Sequence, residues 1–184
     1  SSAEEGCAAV DALMNQRAFG EAGAEIVVEE CLPGIELSYH VMAVNERFMP
    51  LATAQDHKRL GDGDEGPNTG GMGAYSPTPM VDAALEARIQ AEIIRPTLAG
   101  MVTEGRPFRG VLFVGIMLVD GEPYVLEYNT RFGDPECAVL MTRWGGDLSA
   151  LLHSLTSDGA MVHPDTVQWR APYALAVVLA SGGY

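Results

Sequence analysis

The segment between residues 111 and 129 leaves little freedom of secondary structure. Residues 111–119 and 124–128 are β-rich runs, and Asp120-Gly121 between them is a dipeptide suited to a tight hairpin turn. The second run ends in Leu126-Glu127-Tyr128-Asn129. Side chains two apart on a strand share a face, so Glu127 and Asn129 point the same way. A carboxylate and a carboxamide so placed are oxygen donors for a hard cation such as Mg2+. Arg131 keeps the same alternation if the strand runs on, where it would clamp a phosphate or a developing anion. A solvated acidic turn at a strand end is the competing reading of Glu-x-Asn-x-Arg taken alone.

The rest of the chain reads as strands interleaved with helices, an α+β pattern. Ser2 caps a first helix with Glu4 and Glu5 in its first turn and Val10, Leu13 and Met14 on one face; Gly20 and Gly23 end it. Residues 25–30 form a strand whose run Ile26-Val27-Val28 is too continuously apolar for a surface edge. Pro33-Gly34 is a turn, and further strands cover 36–44 and 48–53. Residues 54–80 are rich in Gly, Pro, Asp and Asn and lack periodicity, which marks a functional loop. Apolar residues at Leu85, Ile89, Ile93, Leu98 and Met101 predict a helix over 81–104, kinked or interrupted by Pro96. Helices at 136–143 and 147–155, a polar connector at 158–170 and a buried strand at 174–180 follow. Trp144 and Trp169 read as packing residues.

Composition narrows the function. The formal net charge of −14 opposes general affinity for nucleic acid or an anionic membrane, since both demand basic surface. A polyphosphate site remains compatible, because a few local cations, metal ions and backbone N–H groups suffice. No apolar stretch is long enough to cross a bilayer. Cys7, Cys31 and Cys137 lack zinc-site spacing and read as reduced thiols, which fits a cytoplasmic location.

Two candidate constellations lie outside the hairpin. Glu29-Glu30-Cys31-Leu32-Pro33-Gly34-Ile35-Glu36 joins two expected strands and could offer backbone groups to a base edge and a carboxylate to ribose hydroxyls. Asp56-His57-Lys58-Arg59 sets two cations beside an imidazole, and Asn68-Thr69-Gly70-Gly71-Met72-Gly73 follows nine residues later. Glycines there would let successive N–H groups converge on an anion, so the two halves could hold a substrate phosphate and order a lid. Asp134 stands where a helix begins and could cap it or orient a substrate amine.

Arg131-Phe132-Gly133-Asp134-Pro135-Glu136 also carries a resemblance. It is similar to the signature of the phosphoribosylamine–glycine ligases (glycinamide ribonucleotide synthetases), ATP-grasp enzymes of purine biosynthesis. A second match runs from Gln55 to Arg59, through Gly61-Asp62-Gly63-Asp64, to Gly66-Pro67-Asn68-Thr69-Gly70-Gly71-Met72-Gly73-Ala74-Tyr75-Ser76-Pro77. The resemblance covers nearly the whole chain. Ala138 departs from the Gln or Met usual in the signature, and Gly115 stands near the place where many ATP-grasp enzymes carry a further acidic metal ligand.

The resemblance implies an incomplete ATP-grasp fold, with a partial ATP-grasp domain at 1–160, a connector at 161–170 and the start of a C-terminal domain at 171–184. It implies ATP-dependent ligation of glycine to 5-phosphoribosylamine through a glycyl phosphate, with Mg2+ (or Mn2+), in a longer parent; the piece alone is expected to be inactive. Glu30 and Leu32 would give backbone contacts to adenine, Glu29 would meet its amino group and Glu36 the ribose. Asp56, His57, Lys58, Arg59, Asn68, Thr69, Gly70, Gly71, Met72 and Asp134 would bind substrate. Glu127 and Asn129 would hold the metal, and Arg131 would be catalytic. Alternatives are another carboxylate–amine ligase of the same fold, or a nucleotide-binding module without turnover.

Overall fold

A capping box opens the chain: the Ser2 N–H donates to Glu5 Oε2 at 2.7 Å while the Glu5 N–H donates to Ser2 Oγ at 3.2 Å. The computed structural model describes residues 2–156 and 167–183. They fall into two units, Ser1–Leu32 and Pro33–Tyr184. In the first, helix α1 (Ala3–Val10) runs on as a π-helical stretch, Asp11–Asn15, and a 3-10 turn covers Gly20–Ala24. The strand expected at 25–30 does not form, and Val27 and Val28 are 82% and 84% exposed. A strand requires a hydrogen-bonding neighbour, and among the described residues none pairs with this segment.

The second unit is built on a four-stranded antiparallel sheet in the order β2-β1-β7-β8. Its strands are β1 (Ile35–Val44), β2 (Arg47–Pro50), β7 (Arg109–Val119) and β8 (Glu122–Asn129). Asp120 and Gly121 join β7 to β8 with φ of 51° and 84°, the left-handed pair that a tight hairpin requires. One sheet face packs Leu37, Tyr39, Val41, Val114 and Ile116 against Ile89, Ile93, Ile94 and Leu98. Ile89, Ile93 and Ile94 come from a π-helical stretch at Ile89–Ile94 and Leu98 from α3 (Arg95–Thr103); the stretch continues α2 (Ala83–Arg88), whose Leu85 packs against the same cluster. Pro96 lies in the first turn of α3, so the interruption expected there is a π-helical stretch that ends just before the proline.

On the opposite face Met42, Val44 and Val111 pack with Met49, Leu51, Trp144, Leu151 and Leu155. Trp144 precedes α5 (Leu148–Ser154) and ends α4 (Glu136–Arg143), and its ring meets Trp169 edge-on at 5.6 Å. Both tryptophans are therefore packing residues.

Residues 54–80 are not an irregular loop. They contain β3 (Gln55–Asp56), β4 (Arg59–Gly61), β5 (Glu65–Asn68) and β6 (Gly73–Ser76). Strands of two to four residues are too short to show a period in sequence. β6 pairs on one side with β3 and on the other with β9 (Ala174–Val177), while β4 and β5 make a separate ribbon. The strand expected to be buried at 174–180 is short and half-open. Ala174 and Ala176 pack beside Val139 of α4, but Leu175 and Val177 are 73% and 68% exposed. Of the expected connector, residues 158–166 lie outside the described ones.

Candidate functional site

Alternation along β1 sends Leu37, Tyr39 and Val41 to the helices and Glu36, Ser38 and His40 to the other face. The register lines these polar residues up with the hairpin. Ser38 lies opposite Gly115, and Gly115 opposite Glu127; His40 lies opposite Phe113, and Phe113 opposite Asn129. Two cross-strand rows thus run from β1 to the end of β8. The expected neighbourhood of Glu127 and Asn129 is present, with Asn129 Nδ2 donating to Glu127 Oε1 at 3.1 Å. Gly115 leaves open the ground beneath Glu127, where a Cβ would stand 3.2 Å from Glu127 Cγ.

A bulge decides which face the pair occupies. Gly115 pairs with Glu127 but Ile116 pairs with Val125, so Leu126 is an extra residue on β8. Beyond it Tyr128 turns to the helical side, where its hydroxyl meets Thr97 Oγ1 at 2.8 Å. The strand then stops at Asn129. Arg131 therefore does not continue the alternation; it lies in the following turn, where its Nη1 donates to the Phe132 carbonyl at 2.8 Å.

The turn from Arg131 to Glu136 is tied to β1 at two points. The Gly133 N–H donates to His40 Nε2 at 3.0 Å, and Ser38 Oγ donates to Glu136 Oε1 at 2.6 Å. Glu136 is 2% exposed, and its carboxylate fills the space beside Gly133, where a Cβ would lie 2.4 Å from Oε2. Asp134 is exposed at the mouth of the turn. The His40 ring is fully buried and stacked on Phe113 at 4.6 Å. Burial, helped by the charge of Arg131, pushes its pKa down to about 3.

A pH effect on stability follows. Between pH 6.5, the ordinary imidazole value, and about 3 the unfolded chain protonates this histidine while the folded chain does not. His40 therefore withdraws stability as pH falls through that window, by up to about 1.4 kcal/mol per pH unit. Asp56 acts in the opposite sense. Burial and the nearby carboxylates Glu136 and Glu36 hold its pKa up at about 6 against the pull of Lys58, so its contribution is full below 3.8 and lost as pH rises through 6. Comparing urea denaturation at pH 7 and pH 5 isolates the histidine. The wild type should lose roughly 2 kcal/mol more than His40→Phe over that interval.

The second motif folds beside the first. Lys58 Nζ forms an ion pair with Glu36 Oε2 at 2.5 Å. Burial opposes its charge, but Glu36, Asp56 and Glu127 together raise the Lys58 pKa. The backbone of Lys58 accepts from the Thr69 N–H at 2.7 Å and from Thr69 Oγ1 at 2.8 Å, and Arg59 Nη1 donates to the Gly66 carbonyl at 2.7 Å. The N–H groups of Gly71 and Met72 donate to Thr69 Oγ1 and the His57 carbonyl. The expected convergence of loop N–H groups is thus spent inside the protein at Thr69, Gly71 and Met72, which leaves the side chains of Lys58 and Arg59 as the local cations. Asn68 ends β5 opposite Arg59, and Gly70 is exposed. Gly71 adopts φ +124°, and a Cβ there would stand 2.4 Å from Pro135 Cδ, so the two motifs touch at this residue.

Glu36 is half-buried in the second unit, whereas Glu29 and Glu30, both exposed, and half-buried Leu32 belong to the first. Sequence reading missed Ser38 and His40 as supports of the turn. Their signal was visible: Glu36, Ser38 and His40 are alternate polar residues in an otherwise apolar strand. No group of three or more His, Cys, Asp or Glu among the described residues is arranged for a metal ion. The acidic end of β8 offers one carboxylate and one carboxamide, a donor set suited to a cation that takes its remaining oxygens from ligand and water.

Residues 1–137 match the family described as phosphoribosylglycinamide synthetase, ATP-grasp (A) domain. A phosphoribosylamine–glycine ligase of Mesorhizobium japonicum is 51% identical over 181 residues, 98% of this chain and 42% of that protein. The chloroplastic one of Arabidopsis thaliana is 47% identical over 183 residues, 98% of this chain and 34% of that protein. The crystal structure of the Thermotoga maritima phosphoribosylamine–glycine ligase superposes with a TM-score of 0.74 at 40% identity, over 85% of this chain and 38% of that one. The biotin carboxylase domain of Hydrogenobacter thermophilus 2-oxoglutarate carboxylase, 11% identical with a TM-score of 0.68, is similar in fold alone. The chain spans about two fifths of the length of the bacterial relatives it matches.

Proposed function

This chain belongs to the phosphoribosylglycinamide synthetase family of ATP-grasp proteins, and from that premise we propose that a full-length protein carrying it ligates glycine to 5-phosphoribosylamine with ATP. The observation that carries the reading is the meeting of the two long motifs, Gly71 against Pro135, with Lys58 close enough to Glu127, the partner of Asn129, for that carboxylate to help raise its pKa. The glycine carboxylate attacks the γ-phosphorus of ATP and ADP departs, leaving glycyl phosphate. The amine of phosphoribosylamine then attacks the acyl carbon and phosphate departs, giving glycinamide ribonucleotide. Activation precedes amide formation because a carboxylate oxygen is a poor leaving group until phosphorylated.

Glu127 and Asn129 would hold Mg2+ or Mn2+, which neutralises polyphosphate charge when bound. Arg131, at the head of the tethered turn, stabilises charge on the transferring phosphoryl group. Lys58 and Arg59 take the phosphate of phosphoribosylamine, with Asp56, His57 and residues 68–72 shaping that end, and Asp134 orients the amine. Glu36 accepts from ribose hydroxyls, Glu30 and Leu32 meet adenine through their backbone, and Glu29 meets its amino group. A cytoplasmic location, in de novo purine synthesis, suits these substrates.

ADP release by the full-length protein tests the proposal. Release should require Mg2+, glycine and freshly generated phosphoribosylamine together. Turnover only with a different amino acid, or nucleotide binding without ADP release under these conditions, would overturn it.

A further inference from the structure

His40 does more than fill the core. Its ring lies nearly parallel to Phe113, with an interplanar angle of 10°, and 6.3 Å from Phe132. A phenylalanine would satisfy such a slot with no polar atom to bury. The imidazole brings a penalty, because Nδ1 is buried and, among the described residues, has no hydrogen-bond partner. Nε2 accepts the Gly133 N–H, so the ring proton sits on Nδ1. The gain that offsets this orphaned donor is the Nε2 lone pair.

We propose that His40 is a positioning residue: as the neutral Nδ1–H tautomer it holds the Gly133 amide and thereby fixes the Arg131–Asp134 turn beside Glu127 and Asn129. Three features support the assignment. Gly133 is two residues from Arg131 and adjacent to Asp134, so freeing its amide loosens both. The second tether, Ser38 to Glu136, springs from the same face of β1 and holds the other end of the turn. The row from His40 through Phe113 to Asn129 links the tether to the donor pair across paired strands. The catalytic consequence rests on the ligase reading above; the tether and the tautomer do not.

The test uses the full-length protein labelled with 15N at histidine and glycine. At pH 7 the His40 resonances should show a protonated Nδ1 and an unprotonated Nε2. His40→Phe keeps the ring and removes the acceptor, whereas His40→Gln returns an acceptor near the Nε2 position. The Gly133 amide should exchange about tenfold faster in His40→Phe than in His40→Gln. The kcat of His40→Phe should fall about tenfold with KM for ATP little changed, and His40→Gln should recover most of the loss. A protonated Nε2, or Gly133 exchange equal in the two variants, overturns the proposal. Should the wild type prove inactive, the ligase reading falls while tautomer and exchange still decide on His40. If His40→Phe fails to fold, the wild-type tautomer and wild-type-like Gly133 exchange in His40→Gln decide.

Discussion

Glu127→Ala in the full-length protein should lower kcat by roughly a hundredfold or more, with nucleotide affinity changed by less than about tenfold. The asymmetry has a physical cause. Glu127 stands at the end of β8, where its Oε1 accepts from Asn129 Nδ2 at 3.1 Å, and its proposed partner is the metal, not the nucleotide base. Charge neutralisation at the phosphates matters most while charge is moving between oxygens, so its loss shows in turnover before it shows in binding. Glu127 is exposed, so its removal leaves the fold intact. Steady-state kinetics across a Mg2+ titration, with nucleotide affinity measured separately, checks this. Wild-type turnover with an unchanged Mg2+ dependence would remove Glu127 from the proposed metal site.

Gly71→Ala should destabilise the fold by about 3 kcal/mol or more, the second large effect. Two penalties coincide at this residue. Its φ of +124° is unfavourable for any side chain, and a Cβ would lie 2.4 Å from Pro135 Cδ and 3.3 Å from the Asp134 carbonyl oxygen. The proline ring cannot swing aside as a long side chain can. Gly63→Ala supplies the comparison, since Gly63 has φ +73° with nothing within 4 Å of its Cβ position. That change carries the conformational penalty alone, about 1 kcal/mol. Urea denaturation of both variants separates backbone strain from the clash. Equal destabilisation would mean that the two motifs do not press together at Gly71. The clash should also raise KM for phosphoribosylamine, because displacing the Asp134–Pro135 backbone moves a proposed amine contact.

The features read correctly from sequence are those governed by neighbours along the chain. Two-residue alternation predicts that Glu127 and Asn129 share a face, Asp120-Gly121 predicts the hairpin, and Ser2 predicts the first helix cap. Each follows from dihedral preferences or contacts within a few residues, and each is present. Spacing also identified Leu85, Ile89, Ile93 and Leu98 as one helical face, and the interruption expected at Pro96 takes the form of a π-helical stretch before it. The two long motifs were legible as a family resemblance, and the matched family agrees.

Long-range partners decided the rest. The run Ile26-Val27-Val28 has the composition of a strand, yet composition cannot supply the neighbouring strand that would satisfy its backbone. Conversely, β6 has no periodic signal and is held by pairing with β9, roughly a hundred residues away in the chain. The bulge at Leu126 sets the phase of the hairpin, turning Glu127 and Asn129 to the polar face and Tyr128 to the helices. The polar alternation of β1 marks His40 but not what it holds, because its role depends on Gly133, 93 residues further along, and on Phe113 across the sheet. Local sequence determined which side chains travel together; the strand pairings determined what they face, because register and burial are properties of two segments in contact and neither segment encodes them alone.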